Sequence, residues 1–352
     1  QISLFGMITV EAGKLIQLGI DIFTAQGVSD VDAEFLVDSL VEANLSGHDS
    51  HGAYYFVRYS DRIKEGNIRL NVEPKIVKET AGTAYIDGQW GMGQLTARRM
   101  TEIAVEKAKE NMVAAVGSFN TNHIGRIGYY TEMAAKEGII TTLYVNVGHP
   151  IVSVHNGHGP VFGTNPYSAS VPVGGDIPFL VDYATSVVAA GKLSVARAAK
   201  QKIPVHWTLD KEGNTNDSPT VLSEGGWLLP FGLYKGMGLQ MVSELLGAVL
   251  TGSRVGPSGI THPPSPNGVF MLAVNPEAFV GLDEFVKNTD SLLKQVKDWQ
   301  PLEGEKVYVP GEPEKETKAY RLANGVKLPD DTWAEIEALC KELDISTDGM
   351  LM

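Results

Sequence analysis

Two histidine-containing clusters in this chain have residue types and spacing that could do chemistry. Gly47-His48-Asp49-Ser50-His51-Gly52 follows an apolar helical run. Histidine is the side chain whose ordinary pKa lies nearest neutrality, so His51 beside Ser50 reads as a general acid/base, with a capped helix end as the plain alternative. Asn122-His123-Ile124-Gly125-Arg126-Ile127-Gly128-Tyr129 follows a predicted strand and opens a predicted helix. Free backbone N–H groups and the positive dipole end at such a junction suit an anion, and Arg126 adds a charge; the alternative is an ordinary turn with a surface His and Arg. His48 and His51, three apart, could face one metal on a helix, but no cysteine ligand and no third ligand follow from the spacing, so no metal is expected.

The elements that position these clusters follow from the apolar spacing. From Thr9 to about Glu65 the pattern is helical, with Leu15, Leu18 and Ile22, then Ala33, Leu36, Val37 and Leu40, and Ser29-Asp30 as an N-cap. Residues 75–78 and 84–87 read as strands, 95–110 as a helix, and 113–116 and 139–147 as strands with a helix over 129–136 between them. Further short strands are expected over 151–156, 168–173 and 179–183. Helices are expected over 187–200 and 238–251, and a proline-rich loop over 253–268. The tail is charged, with helices over 282–299 and 330–343 on either side of Val307 to Pro313. The order predicts an α/β chain of the mixed-sheet, α+β kind. Residues 7–75 and 282–352 form one discontinuous helical domain, and residues 76–281 form the sheet region that binds ligands.

Composition narrows the function. The chain of 352 residues has room for about two domains. Lys plus Arg total 29 against 42 Asp plus Glu, a net charge of −13, and no basic block stands out, which argues against a nucleic-acid partner. Cys340 is the only cysteine, so an internal disulfide or cysteine-held metal is excluded and a reducing, cytoplasmic home fits. No long uncharged apolar run suggests a membrane, and the start lacks a signal-peptide pattern; Gln1 to Gly6 read as an appended remnant ahead of Met7. The dinucleotide fingerprint Gly-x-Gly-x-x-Gly is missing: after Gly91-Met92-Gly93, Gly157-His158-Gly159 and Gly236-Met237-Gly238 the third glycine position holds Thr96, Phe162 and Met241. There is also no phosphate-binding lysine loop and no Gly-x-Ser-x-Gly elbow, against kinase and hydrolase readings.

Four further segments are turns when taken singly: Gly163-Thr164-Asn165-Pro166, Asp182-Tyr183-Ala184-Thr185-Ser186, Pro230-Phe231-Gly232-Leu233-Tyr234-Lys235-Gly236 and Pro310-Gly311-Glu312. In this order with Ser50-His51-Gly52 and Asn122-His123-Ile124-Gly125, they resemble the type-2 malate/L-lactate dehydrogenase family over essentially the whole chain from Met7. The runs Asn44 to Gly52, His123 to Tyr129 and Asp182 to Ser186 look most like its bacterial 2-hydroxycarboxylate dehydrogenases. The resemblance implies a non-Rossmann fold that binds NAD or NADP, hydride transfer between NAD(P)H and a small 2-oxo acid to give a 2-hydroxy acid, and a homodimer with its site near the subunit interface. It implies His51 as proton donor and acceptor, Ser50 beside it, and His123 in catalysis or substrate contact.

Cofactor contacts implied by the same resemblance are His51, Gly125, Arg126 and Ile127, then the stretch Leu180, Val181, Asp182, Tyr183, Ala184, Thr185 and Ser186. Tyr234, Lys235 and Asn275 are implied with them, as are Gly311, Glu312, Pro313 and Glu314. The chain departs from the family where many relatives carry a carboxylate-gripping arginine three residues after the Ser-His-Gly glycine. Here that position is Tyr55, and the next polar contact position is Tyr59. Substrate contacts then fall to Tyr55, Arg58, Tyr59, Thr164 and Lys192, with Arg58, Arg126 or Thr164 on the carboxylate, and a bulkier or aromatic substrate is expected. Gly191-Lys192 stands where imine-reducing relatives carry an aspartate. Malate/L-lactate or ureidoglycolate oxidation within the family is an alternative, as is a lyase using Ser50 and His51 without a nicotinamide. A non-catalytic binding protein is disfavoured by the intact Ser50-His51 pair, Lys235 and Pro310-Gly311-Glu312.

Overall fold

The first β-strand, β1 (Met7–Val10), leads into helix α1 (Ala12–Ala25), α2 (Asp30–Leu45), a single 3-10 turn (Asp49–His51) and α3 (Tyr54–Lys64). The computed structural model describes residues 6–175, 178–198, 200–256 and 266–352. Ser29 caps α2 by accepting a hydrogen bond from the Asp32 amide, and Asp30 and Asp32 place negative charge at the positive end of the helix. Leu15, Leu18, Ile22 and Phe23 of α1 bury against Leu36, Val37 and Leu40 of α2 and Phe56 of α3, in one apolar cluster.

The middle of the chain supplies β2 (Lys75–Glu79), β3 (Thr83–Asp87), α4 (Gly93–Asn111), β4 (Val113–Thr121), α5 (Gly128–Lys136), β5 (Ile140–Val147), β6 (Tyr167–Val171) and β7 (Phe179–Tyr183). After these come α6 (Ala190–Ala198), the short pair β8 (Thr208–Leu209) and β9 (Trp227–Leu228), α7 (Tyr234–Glu244) with a π-helical turn at Leu245–Val249, and β10 (Asn267–Val274). Seven strands form one sheet in the order β2-β3-β4-β10-β5-β6-β7. All neighbours are antiparallel except β3 and β4, which are parallel and joined by the α4 crossover. Ala114 and Val116 of β4 and Val269, Met271 and Ala273 of β10 enter the core under α4 and α5. Gly117, of opposite parity, meets Thr251 beyond the π-helical turn, so both faces of the central strands are covered.

The tail comprises α8 (Leu282–Lys297), α9 (Glu312–Asn324), β11 (Val326–Pro329) and α10 (Asp330–Glu342). β11 pairs antiparallel with β1, and Val326, Leu328, Trp333, Ile336, Leu339 and Cys340 join the same cluster as α1, α2 and α3. Among the described residues no helix is long and apolar enough to cross a membrane.

Several elements differ from the sequence reading. Met7–Val10 is a strand because β11 offers it an edge that no local pattern reveals. Residues 151–156 form no strand; Val152 makes only single bridges, to Phe162 and Leu228. The central strand β10 begins inside the run read as a proline-rich loop, and, being covered on both faces, it lacks the alternation that marks a strand. Residues 257–265 of that loop lie outside the described residues, as do Gln1 to Phe5. Helix α9 was not expected: it buries no residue and has no apolar stripe to find.

Candidate active site

The chemistry-bearing segments converge on one end of the sheet. Asn267, the first residue of β10, stands opposite Thr121 at the end of β4 and Val147 at the end of β5, and β7 ends nearby at Tyr183, opposite Tyr167. The chain leaving β4 is therefore delivered straight into Asn122-His123. The Asn122 amide donates to the carbonyls of Asn67, Trp90 and Gly91, and Asn267 accepts from the Ile124 amide at 3.0 Å while donating to the Asn146 carbonyl. These bonds hold the loop in one place, although the Asn122 Oδ1 is left without a partner.

The turn carrying Ser50 and His51 is clamped from both chain ends. Asn44, at the end of α2 and fully buried, accepts from the Ala53 amide at 2.7 Å and donates to Asp49 at 2.8 Å. Arg321 of α9 grips both Asp49 oxygens, at 2.5 and 3.0 Å, and also the Asn44 carbonyl. A side chain at Gly52 would collide with the Asn44 amide, and one at Gly191, at the start of α6, would meet the Ser50 Cβ at 2.8 Å. Ser50 Oγ lies 3.0 Å from Nδ1 of His51, which leaves Nε2 for a reacting group. Burial drives the His51 pKa down from 6.5 to about 4; Asp182 pulls it up, while His48 and Arg126 push it further down. His51 is therefore neutral at pH 7, the form that accepts a proton.

His123 stands 5.7 Å from the His51 ring, nearly parallel to it. The Tyr55 ring stacks on His123 at 4.6 Å, with its hydroxyl 3.5 Å from Nε2, and the Tyr59 hydroxyl lies 2.7 Å from Nδ1. Burial holds His123 well below its ordinary pKa and raises Tyr55 to about 12. Arg58 is not in this group. It pairs with Glu335 at 3.1 Å over the Tyr54 ring, partly exposed, and its charge is spent on α10.

On the other side lie the residues expected to hold a dinucleotide. Asp182 of β7 accepts from the Gly128 amide at the start of α5 at 2.8 Å and stands 3.6 Å from Nε of Arg126. Arg126 is only 5% exposed, yet its Nε and Nη1 have no hydrogen-bond partner. Thr185 donates its amide and hydroxyl to the Thr164 carbonyl, the Phe231 amide donates to the Thr185 carbonyl, and Ser186 bridges to Pro230, so 182–186 and 230–235 lie side by side. Tyr183 meets Phe231 edge-on at 5.7 Å. Tyr234, 60% exposed, and exposed Lys235 open α7. Gly311 packs on Leu180, the next strand residue being Val181; Glu312 accepts from the Val309 amide; Pro313 starts α9; and Glu314 stands 3.7 Å from His48. Gly125 lies beside Gln94, Ile127 is buried at the start of α5, Ala184 follows β7, and Lys192 is exposed at the start of α6.

Asn275 is the expected residue that the fold sends elsewhere. Its amide donates to the Met112 carbonyl and its side chain caps the next turn, at the end of β10 where Val274 faces Val113. That is a whole strand from His123, about 27 Å at roughly 3.4 Å per residue. The asparagine at the site end of β10 is Asn267. Asn44, Gln94, Asn267 and Arg321 were missed in the sequence reading. A polar residue on a buried helical face marks Asn44 and Gln94, whereas no local signal marks Arg321, 272 residues from its partner. Among the described residues no three His, Cys, Asp or Glu gather as a metal site.

With this geometry in view, comparison with known proteins is decisive. A family model described as malate/L-lactate dehydrogenase matches residues 10–337. The chain belongs to this family. It is 35% identical over 339 residues to the L-sulfolactate dehydrogenase of Methanocaldococcus jannaschii, covering 95% of this chain and 97% of that protein. It is 33% identical over 330 residues to hydroxycarboxylate dehydrogenase B of Escherichia coli O157:H7, covering 91% and 89%. The crystal structure of malate dehydrogenase from Entamoeba histolytica superposes with a TM-score of 0.92 at 27% identity, over 97% of this chain and all of that one. For this malate/L-lactate dehydrogenase family member, the mixed sheet matches that of its relatives, and the residues present fit a nicotinamide dinucleotide. Buried Arg126 lies 3.6 Å from Asp182 and 4.0 Å from Glu132, yet its Nε and Nη1 make no hydrogen bond, which leaves N–H groups to give an anionic ligand.

Proposed function

We propose that the protein is an NAD(P)-dependent 2-hydroxycarboxylate dehydrogenase, interconverting a 2-oxo acid and its 2-hydroxy acid. The observation that carries this reading is the clamped His51, its Nε2 free, set beside His123 and Tyr55 where the 182–186 and 311–314 segments converge. The nicotinamide, when bound, supplies hydride to the carbonyl carbon or takes it back from the carbinol carbon. His51 gives a proton to the oxygen as negative charge develops there, and recovers it in the oxidative direction. With its pKa driven down to about 4, His51 is unprotonated at pH 7, the form that takes the proton in oxidation. A substrate carboxylate adds to the field of Asp182 and raises that pKa, so binding of the 2-oxo acid favours the protonated, donating form. With Arg58 held by Glu335, carboxylate binding rests with Arg126, Thr164 or Lys192.

Tyr55 in place of an arginine presents a flat apolar wall, which supports 2-oxo acids with long or aromatic side chains. The homodimer reading is supported by apolar surface on two elements, with Met241, Leu245 and Leu250 around α7 and Leu292, Trp299 and Leu302 around α8 all exposed. A buried Cys340, its thiol pushed up to about 11 by burial, is compatible with a cytoplasmic home. A panel of 2-oxo acids with NADH and NADPH, followed at the nicotinamide absorbance, tests the function. Turnover of phenylpyruvate above oxaloacetate is expected, with the order moving toward oxaloacetate in Tyr55→Arg. No turnover of any 2-oxo acid, with no NADH or NADPH binding by fluorescence, would overturn it in favour of a lyase.

A further inference from the structure

We propose that Gln94 and Tyr59 are positioning residues that fix the ring proton of His123 on Nε2, making His123 a hydrogen-bond donor to the substrate oxygen and leaving His51 as the only proton-transfer group. The chain of donors has one direction. Gln94 is fully buried and Tyr59 is 1% exposed. The Gln94 Nε2 donates to the Tyr59 oxygen at 2.6 Å, so the single Tyr59 O–H turns to Nδ1 of His123, 2.7 Å away. A neutral imidazole accepts at one nitrogen and donates at the other, and Nδ1 is the acceptor here. Nε2–H then faces the Tyr55 hydroxyl at 3.5 Å, too long and loose a contact to hold it, and the His51 ring stands 5.7 Å from the imidazole.

The reverse order requires the Tyr59 O–H turned to the His123 carbonyl, at 3.5 Å a far weaker contact than the 2.7 Å to Nδ1, or Gln94 turned end for end. Its Oε1 has no partner, so turning it would place the amide N–H groups where nothing accepts them, and an orphaned buried donor is worse tolerated than an orphaned carbonyl. Neither end of the relay releases its proton near neutrality. Burial, reinforced by Tyr55, raises Tyr59, while burial, with the positive charge of Arg62 beside it, keeps His123 unprotonated at its second nitrogen. The role toward substrate rests on the dehydrogenase reading; the proton's place on the ring does not.

The two are tested separately. In the full-length protein labelled with ¹⁵N-histidine, the His123 signals should show Nδ1 bare and Nε2 protonated from pH 6 to 8. In Gln94→Glu the new carboxylate accepts from Tyr59, whose oxygen then accepts from the ring, so Nδ1 should become the protonated nitrogen. Tyr59→Phe, which removes the relay without adding a charge, should show a mixture of the two forms. Nδ1–H in the wild type would overturn the relay, as would identical His123 signals in all three proteins. In steady-state kinetics, Gln94→Glu should lose about tenfold or more in kcat/KM for the 2-oxo acid, the size of one hydrogen bond to a charged group. Its Kd for NADH, read by fluorescence, should be unchanged. A reversed tautomer with unchanged kcat/KM would overturn the substrate role while leaving the relay standing. Absence of turnover in the wild type would count against the dehydrogenase reading alone.

Discussion

The two halves of the site are built on opposite terms. On the proton-handling side, Asn44, Tyr59 and Gln94 are almost wholly out of solvent, and each makes its hydrogen bonds to groups that hold Ser50, His51 or His123. On the dinucleotide side, Tyr183, Tyr234 and Lys235 stand in solvent, and Arg126 is buried with bonds still to make. On the proposed roles, the difference teaches that the reacting end is finished before ligand arrives, whereas the binding end is completed by it. Preorganisation belongs where charge develops, and adaptable contacts are sufficient where a long ligand is merely held.

Breaking the finished half should do the most harm. His51→Asn should lower kcat by about 10² to 10⁴ while leaving cofactor binding intact, since acid catalysis is worth that much and the ring is one of many groups near the ligand. Fluorescence titration with NADH alongside turnover separates the two; near-normal turnover at every pH would remove His51 from the chemistry. A second consequence is acid sensitivity. His51 has a folded pKa of about 4 against 6.5 when unfolded, so the unfolded chain binds the extra proton, and stability present above pH 6.5 is lost as pH falls toward 4. The loss attributable to His51 is up to about 3 kcal/mol. Denaturant unfolding at pH 7 and pH 4.5 should therefore show a smaller difference in His51→Asn than in wild type.

Loosening the clamp should have an intermediate effect. Arg321→Gln frees Asp49 and shifts the Ser50-His51 turn, and displacement of a reacting group by about 1 Å is worth about 10²-fold, so kcat should fall about ten- to a hundredfold with little change in the KM for NADH. An unchanged kcat would mean that Asn44 alone suffices. The open half should respond least. Tyr234→Ala should raise the KM for the cofactor only a few-fold and leave the melting temperature within a degree or two, because an exposed side chain contributes little to the fold. A large loss of kcat there would erase the contrast between the halves.

Legibility in the sequence followed the same divide. His51 and Ser50 stood out because a histidine beside a serine at a helix end is unusual, His123 only through the family resemblance, and Ser29 because a cap leaves a local signature. Asp182 to Ser186 was recognisable as a motif, yet what it does for the fold, tying α5 to β7 through the Gly128 amide, is a contact across 54 residues. Asn275 entered only through the family resemblance, while Asn267 sat among prolines that suggested only a loop. Arg321 belongs to a helix without an apolar face, so neither the helix nor its role could be read before the fold existed.

The grip of Arg321 on Asp49 also bears on how the protein is made. A ribosome delivers the Ser50-His51 turn early and its clamp roughly a minute or less later, at about 5 to 20 residues per second. The strand that pairs with β1 follows immediately after α9. Until those segments emerge, the nascent chain has its Ser50-His51 turn without the partner that fixes it, and its first helices without the rest of their core. Geometry of the turn and closure of the core therefore arrive together, with α9 and β11, and a chain cut short before α9 would be missing both.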